Sequence, residues 1–321
     1  NKYEALIFAH DSIGYTPIGV PQGDDPLLFT QWMYSIDPHI KYVNPNNNTK
    51  HSYKSRFFKD DYRPHEDEEG YSTVLFQEYQ FQKTVNMRHG HIVSTSGISA
   101  NTIKGSYDDL YGEGGLSSKK EMDNYSLYSQ FDFKYKSLNM SFGGRLERLI
   151  FLEDIYNIPV IRSGLNLRLL PTTYLRGSFG QGYRFPTIME SFVKTDYHPM
   201  YIYPGSNNGP DGIFGTADDI TLKPEHGWSG EIGLKQLLKL GEWKGMFDIA
   251  VFRMHYDDMI EFTFGQWDQP SSPNPLDNFM GIGFKCVNIG KAEISGIEAS
   301  IIGEGKIGNL DVSLLAGYTY S

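Results

Sequence analysis

The feature that most constrains this fold is an alternation of side chains with a period of two, held through residues 125–135 and again through residues 138–147. Alternate positions of a β-strand point to opposite faces of a sheet, so we interpret each segment as one strand. Only Lys136 and Ser137 separate the two segments, which indicates an antiparallel hairpin. One face is apolar and carries Leu127, Phe131, Phe133, Met140 and Phe142. The other face is polar and carries Asp132, Lys134, Arg145 and Glu147.

Such a pair fits either a soluble β-sandwich or a membrane barrel, in which the apolar face meets lipid and the charged face lines a wet lumen. Connection lengths favour the barrel, because bacterial outer-membrane barrels have short periplasmic turns and long extracellular loops. We predict short turns near 84–89, 136–138, 170–172, 240–244 and 303–308, long loops at 100–123, 186–227 and 265–281, and a medium loop at 150–158. The predicted fold class is therefore all-β, an antiparallel transmembrane β-barrel with about a dozen strands visible. Alternation in residues 160–169 further predicts Leu165 and Leu167 outward and Arg162 and Arg168 inward.

Composition excludes several other classes. The 321 residues carry a formal net charge of −10, so no basic surface for nucleic acid is expected. The single cysteine, Cys286, excludes an intrachain disulfide. No apolar run is long enough for a membrane helix, which leaves barrels open because their strands alternate. The sequence contains neither a nucleophile–base motif nor a phosphate-binding loop, and we do not expect an enzyme.

A series of segments resembles, in the same order, landmarks of TonB-dependent outer-membrane receptors. The first, at 174–190, is a strand with an Arg and a Ser, followed by an aromatic-Arg-x-Pro stretch and a Glu. The others are Leu-Lys-Pro-Glu at 222–225 with Gly-Glu-Ile-Gly-Leu at 230–234, a strand at 248–261, a stretch at 287–298 and Gly-Tyr-Thr-Tyr at 317–320. The landmark residues are Arg176, Arg184, Pro186, Glu190, Pro224, Glu225, Asn288, Gly296 and Glu298. We expect them to be structural, with Arg184 pairing with Glu190.

The sequence also departs from the family pattern. Thr221 and Leu222 precede Lys223, where the family commonly has an Asn-Pro-x-Leu step. The family's plug domain, its energy-coupling box and its terminal Phe are absent from the sequence, and the resemblance implies a barrel of about 22 strands. We therefore expect residues 1–321 to be part of one β-barrel domain, an internal fragment that could not close alone, because unpaired strand edges are not tolerated in lipid.

The resemblance implies a receptor in the outer membrane of a Gram-negative bacterium that actively takes up a scarce nutrient such as a siderophore, haem, cobalamin or a glycan. Its implied partners are the TonB energy-coupling complex, acting through the plug, the nutrient ligand, and lipid or lipopolysaccharide, with no nucleic acid. Two other functions stay open: a passive outer-membrane channel or adhesin barrel, and a secreted β-rich carbohydrate-active enzyme.

The long loop at 186–227 holds the candidate ligand contacts, which are Tyr197, His198, Tyr201 and Tyr203. Aromatic side chains on an external loop offer contact area at low entropic cost, so a ligand-binding role is one interpretation. The alternative is that these side chains pack the loop on itself.

The same loop contains a candidate metal site. Asp211, Asp218 and Asp219, with glycines between them, suit Ca²⁺, which takes several oxygen ligands from flexible loops. A solvated acidic turn is the alternative, and no cofactor besides this calcium is predicted.

Overall fold

The structure is a computed structural model that describes residues 2–4, 8–11, 14–17, 28–63, 70–107, 119–151, 154–197, 200–206, 221–267 and 282–321, with side chains within 31–194 and from 201 onward. Strands dominate it, because aromatic and β-branched residues alternate with polar ones along most segments. The elements are β1 (Lys2–Glu4), β2 (Phe8–Asp11), β3 (Gly14–Pro17), β4 (Leu28–Ile36), β5 (His39–Asn44), β6 (Thr49–Arg63), β7 (Gly70–Met87), β8 (Gly90–Tyr107), β9 (Lys119–Tyr135), β10 (Leu138–Phe151), β11 (Asp154–Leu170), β12 (Thr173–Arg184), α1 (Ile188–Phe192), β13 (Thr195–Tyr197), β14 (Met200–Tyr203), β15 (Glu225–Leu240), β16 (Trp243–Gln266), β17 (Ile282–Ile307) and β18 (Leu310–Tyr320).

One sheet contains 16 of these strands. Its order is β1-β4-β6-β7-β8-β9-β10-β11-β12-β15-β16-β17, with β5 also on β6, β18 on β17, and the β13–β14 hairpin joined to β17. Every pairing is antiparallel except that of β14 with β17. β2 and β3 form a separate hairpin. The pairings among the described residues leave the sheet open, and its strands of nine residues or more number about a dozen, as predicted.

The register confirms the two predicted faces. Phe133 lies opposite Met140 and Phe131 opposite Phe142, while Asp132 lies opposite Ser141 on the other face. The apolar face continues across the neighbouring strands, and its side chains are exposed, as at Leu127, Phe131, Met140 and Phe142. Leu165 and Leu167 share this apolar face, and Arg162 and Arg168 share the polar one.

The predicted difference between the two ends of the sheet is also confirmed. Six short connections, at 45–48, 88–89, 136–137, 171–172, 241–242 and 308–309, lie at one end. The opposite end, called here the long-loop end, carries the longer connections 64–69, 108–118, 185–224 and 267–281, together with the two-residue connection 152–153. A barrel with this arrangement has its short turns in the periplasm and its long-loop end outside the cell.

Several predicted loop bounds are wrong. Residues 100–107 and 119–123 belong to β8 and β9, which pair from Ala100 and Tyr125 up to Ser106 and Lys119. The medium loop at 150–158 shrinks to 152–153, and the turn at 303–308 moves to 308–309. The loop at 186–227 contains α1, β13 and β14 and ends at β15. The strands are longer than a bilayer requires, so they project beyond it at the long-loop end.

The inward face is covered by a hydrophobic cluster near the long-loop end. There α1 places Ile188 and Phe192 against Leu149 and Phe151 of β10, and all four side chains are at most 8% exposed. This packing explains the failed prediction around 150–158, because apolar side chains here occupy both faces of the strand and hide the alternation. Within the described ranges, the chain forms no helix that is long and apolar enough to span a membrane.

Candidate ligand-capture segment

A three-residue ion cluster, Arg184, Glu190 and Glu225, fixes the segment 185–224 at the long-loop end; we call it the arginine clamp. Arg184 Nη1 donates to both carboxylate oxygens of Glu190 in α1, at 2.8 and 2.9 Å. Its Nε and Nη2 donate to Glu225, at the start of β15, at 2.6 and 3.0 Å. The pairing of Arg184 with Glu190 is the one that the sequence predicted. Arg184 and Glu225 are also directly opposed in the strand register.

The arginine clamp lies beyond the membrane-spanning part, since Arg184 is about 28 Å above the short turns for tilted strands. The guanidinium of Arg184 holds the pKa of the Glu225 carboxyl below its ordinary value, with help from the backbone N–H of Ile260, although burial acts in the opposite direction. Hydrogen bonds to Glu225 and Glu190 raise the pKa of Arg184 in turn. Arg184 and Glu225 are therefore both charged at neutral pH.

The helix α1 begins with a capping box. Thr187 Oγ1 accepts a hydrogen bond from the backbone N–H of Glu190 at 3.1 Å, and the backbone N–H of Thr187 donates to the Glu190 carboxylate at 2.8 Å. This reciprocal pair satisfies two backbone donors that a helix start leaves free. Glu190 thus serves both the helix start and the arginine clamp. Pro186, just before the cap, is fully buried.

Asn288 on β17 holds the other end of the segment. Its side-chain oxygen accepts from the backbone N–H of Lys223 at 2.8 Å, and its Nδ2 donates to the backbone oxygens of Lys223 and Asp258 at 3.0 and 2.7 Å. Asp258 has a φ of 54°, in the left-handed region that few non-glycine residues adopt. One amide side chain therefore joins the segment to both β16 and β17. Pro224, beside Glu225, is buried.

The middle of the segment is tied back onto α1. Ser206 donates from its backbone to the Ser191 oxygen at 2.8 Å, and its hydroxyl accepts from the backbone N–H of Leu222 at 3.1 Å. Ser191, Ser206 and Leu222 are all nearly inaccessible to solvent. The described parts of the segment, 185–197, 200–206 and 221–224, are thus tied to one another and to the sheet, and α1 packs on its lumen side.

The candidate aromatic contacts fall on the β13–β14 hairpin. β14 pairs with β17 through Ile202 and Phe284, and the rings of Tyr201 and Tyr203 lie with centroids 6.4 Å apart, both half-buried. Gly283 allows this contact, because a side chain there would collide with the backbone oxygen of Tyr201. Tyr197 ends β13, its side chain is not described, and His198 lies outside the described residues. The two interpretations of these aromatic residues both stay open.

The other landmarks lie in the barrel wall, away from the arginine clamp. Arg176 on β12 pairs with Glu231 and, at 2.8 Å, with Asp248, which also contacts Lys235 at 3.4 Å. Gly296 on β17 leaves room for the ring of Phe252 and the backbone of β18. Glu298, also on β17, is exposed. The landmark residues therefore divide into a group that anchors the segment and a group that joins the strands of the wall.

The predicted calcium ligands Asp211, Asp218 and Asp219 lie outside the described residues, so calcium stays a prediction. Among the residues that the structure does describe, no group of three or more His, Cys, Asp or Glu side chains could hold a metal ion.

Sequence reasoning missed a polar pocket of about 320 Å³ on the inward face, below α1. Tyr128 donates to Glu78 at 2.8 Å and accepts from Gln80 at 3.2 Å, and Arg145 and Arg162 add two cations to the lining. Arg145 also pairs with Glu147, whose side chain is 0% exposed. The parity of these positions predicts their inward direction, but no local pattern brings side chains of five strands together at one pocket.

A sheet with an apolar outer face, a polar inner face and loops sorted by length at its two ends is the wall of an outer-membrane β-barrel. Residues 23–321 match the family model described as TonB dependent receptor-like, beta-barrel. The chain therefore belongs to the TonB-dependent receptor family, whose members are transport receptors of the Gram-negative outer membrane.

Individual relatives agree with this membership. The chain is 27% identical over 247 residues to the ferric-pyoverdine M114 receptor PbuA of Pseudomonas sp. (strain M114), a match that covers 70% of this chain and 28% of that protein. Its fold is similar to that of the siderophore receptor PirA of Pseudomonas aeruginosa, with a TM-score of 0.64 at 13% identity, covering 91% of this chain and 50% of PirA. The hemophore receptor HasR of Serratia marcescens, solved with its hemophore HasA and heme, gives a TM-score of 0.61 at 14% identity, covering 91% and 49%. The chain thus spans half or less of these receptors.

Proposed function

We propose that this chain forms barrel wall and external loops of a receptor that takes up a ferric siderophore or haem with energy supplied through TonB. The observation that carries the proposal is that α1, within the segment 185–224, packs on the inward face of the sheet. The arginine clamp and Asn288 hold it there. A passive pore needs an open mouth, so a packed segment on the lumen side favours ligand capture over free diffusion.

The chemistry of the inward face supports a polar, oxygen-rich ligand. Arg145 and Arg162 at the pocket supply guanidinium donors, which bind carboxylate and similar anionic oxygens strongly. Tyr201 and Tyr203, with Tyr197 and His198, are proposed as further ligand contacts, and Ca²⁺ at Asp211, Asp218 and Asp219 as a brace for the loop.

The proposed substrate class rests on what the similar proteins are named for. PbuA is named for ferric pyoverdine, PirA for a siderophore, and HasR for a hemophore and heme. We favour a ferric siderophore, with TonB acting through a plug domain of the intact receptor.

Uptake of radiolabelled iron by iron-starved cells tests this function. Cells that produce the intact receptor are given a ferric pyoverdine, a ferric catecholate or haem, and one of these should be taken up. Deleting residues 186–223 should reduce uptake by about tenfold or more, because it removes a whole contact surface. Arg168→Ala, on the inward face near the short turns, is the matched control. Uptake that persists in a strain without TonB would contradict the proposal and favour a passive channel.

A further inference from the structure

The inward face of the sheet contains a second polar pocket, nearer the short turns than the one described above. Its volume is about 420 Å³, and strands β8 to β12 contribute to its lining. The side chains of the lining that the register places on the inward face are His91, Asp132, Lys134, Asn139, Ser141 and Asn166. We call this cavity the lower pocket, and the pocket that contains Arg145 and Arg162 the upper pocket.

The two pockets lie one above the other on the same strands. Lys134 and Asn139 are one position from the short-turn ends of β9 and β10, and Asn166 is four positions from the end of β11. For tilted strands these offsets place the lower pocket about 3–10 Å above the short turns, and Arg145 in the upper pocket about 18 Å above them. The short turns face the periplasm, so the lower pocket is on the exit side of the lumen.

A furrow of small side chains joins the two pockets. Below Arg145, the inward positions of β10 are Gly143 and Ser141, and below Arg162 the inward position of β11 is Gly164. Along β10 and β11 these small residues leave the inner wall free of bulky side chains between the pockets. A Cβ added at Gly164 would come within 2.8 Å of the Ser141 hydroxyl, which can rotate away, so a larger residue at position 164 would fill the furrow without straining the sheet.

The lower pocket presents more hydrogen-bond donors than acceptors. Asp132 is the one carboxylate in its lining, and both of its oxygens already accept from Nε2 of Gln130, at 2.9 and 3.0 Å. Lys134 is exposed, and its ammonium group makes no hydrogen bond or ion pair within the described ranges. An ammonium group flanked by the amides of Asn139 and Asn166 suits a ligand with anionic oxygens.

We propose that the lower pocket is a transit site, which holds an anionic, oxygen-rich ferric chelate after it leaves the upper pocket and before it enters the periplasm. The inference rests on the proposed function and adds a second site on the wall for the same cargo. Lys134 binds an anionic oxygen of the chelate, Asn139 and Asn166 donate to its other oxygens, and the furrow leads from one pocket to the other. A site on a transport path must bind strongly enough to receive its cargo and weakly enough to release it, and one free cation among neutral amides meets both conditions.

Separate measurements of surface binding and uptake test the proposal, in cells that produce the intact receptor and receive a radiolabelled ferric siderophore. Lys134→Met keeps an unbranched side chain without its charge, and should lower the rate of TonB-dependent uptake about tenfold because a hydrogen bond to a charged group is lost. Gly164→Val narrows the furrow and should lower the rate to a similar degree. Binding affinity, measured in a strain without TonB, should be unchanged in both variants.

Two matched controls should keep both binding and uptake. Arg168→Ala removes an inward cation at a similar depth but outside the lining of the lower pocket. Ser163→Val adds bulk at the neighbouring position of β11, on the lipid-facing side of the sheet. The charge of the cargo gives a further readout at saturating concentration. Wild-type cells should take up a siderophore with a free carboxylate faster than its carboxamide derivative, and Lys134→Met cells should take up both at the same rate.

Wild-type uptake rates in folded Lys134→Met or Gly164→Val would overturn the transit site and leave the proposed function intact, whereas a wild-type receptor without TonB-dependent uptake would refute both. Equal losses of binding and uptake would also overturn the transit site, because the lower pocket would then act in capture. Entry of a large antibiotic through Lys134→Met in cells without TonB would overturn it in favour of a seat for the plug. If one variant does not fold, as judged by heat-dependent gel migration, the other decides.

Discussion

Replacing Arg184 with Met should weaken the docking of α1 on the sheet while leaving the barrel wall intact. The substitution keeps an unbranched side chain but removes all four hydrogen bonds that join Glu190 in α1 to Glu225 in β15. It also leaves the two carboxylates facing each other without a cation between them. The strands on either side retain their own ladder hydrogen bonds, so only the docked segment loses stability.

The solvent exposure of the three side chains sets how much docking stability the substitution removes. The Arg184 side chain is 43% exposed, and the carboxylates of Glu190 and Glu225 are 24% and 18% exposed, so solvent weakens the ion pairs. A two-point pair of this kind contributes about 0.5–1 kcal/mol, and the uncompensated carboxylates add a few tenths of a kcal/mol. Undocking should therefore become easier by about 1 kcal/mol, which is roughly a fivefold change in the equilibrium.

Hydrogen exchange measures this change directly. The amides of Ser191, Val193 and Ser206 are protected by bonds within the docked segment, at 3.1, 3.0 and 2.8 Å. They should exchange about fivefold faster in Arg184→Met. Arg176→Met is the matched control, because Arg176 also joins two carboxylates but only within the wall. Unchanged exchange at the three amides in Arg184→Met, or equal acceleration in the control, would refute the role given to the arginine clamp.

Three further predictions concern other parts of the chain. Because the folded state holds the pKa of Glu225 below its ordinary value of 4.5, the stability that this group adds is present above that pH and lost as pH falls below it. The protection factors of the segment's amides, which are corrected for the pH dependence of intrinsic exchange, should be constant from neutral pH to about pH 5 and fall below pH 4.5; a fall already near pH 6 would implicate another group. Gly296→Ala should destabilise the contact between β17 and β18 by about 1–3 kcal/mol, because the new Cβ would collide with the backbone oxygen of Tyr320. The control Gly290→Ala should be tolerated, because a Cβ there meets nothing within 4 Å. Heat-dependent gel migration would measure the difference, and equal unfolding temperatures of the two variants would contradict the prediction. Millimolar Ca²⁺ should protect residues 211–219 from proteolysis and chelator should remove the protection; an unchanged cleavage pattern would leave only a surface turn.

The sequence was sufficient for the two faces of the wall because side-chain direction in a strand depends only on whether a position is odd or even. Leu127 and Asp132 can therefore be assigned to opposite faces without any knowledge of their neighbours. Leu149 and Phe151 also obey this rule, but they are apolar although they face inward, so polarity no longer distinguishes the two faces of the strand there. Their cover is α1, and α1 is held by contacts made outside that strand, so a local pattern could not reveal it.

The contacts that hold the segment 185–224 show the same division between local and long-range information. Arg184 and Glu190 are near in sequence, and their pairing could be predicted from spacing alone. The bonds between Asn288 and Lys223 join residues 65 positions apart, and only the folded sheet brings them together. The inward direction of Lys134 likewise follows from the parity of its strand. The lower pocket that it lines becomes visible only when the neighbouring strands are in register.

The direct register of Arg184 with Glu225 has a consequence for how the receptor can change. The chain leaves the wall and returns to it at a single rung of the ladder, so the wall has the same shape whatever lies between those two residues. The entropic cost of closing a loop grows only slowly with its length. Segments of different size and sequence can therefore replace one another between Arg184 and Glu225, each held by its own glutamate at the position of Glu190. Under the proposed function, ligand preference can diverge in this way without any change in the membrane-embedded strands, and a designer could graft a new segment at the same point.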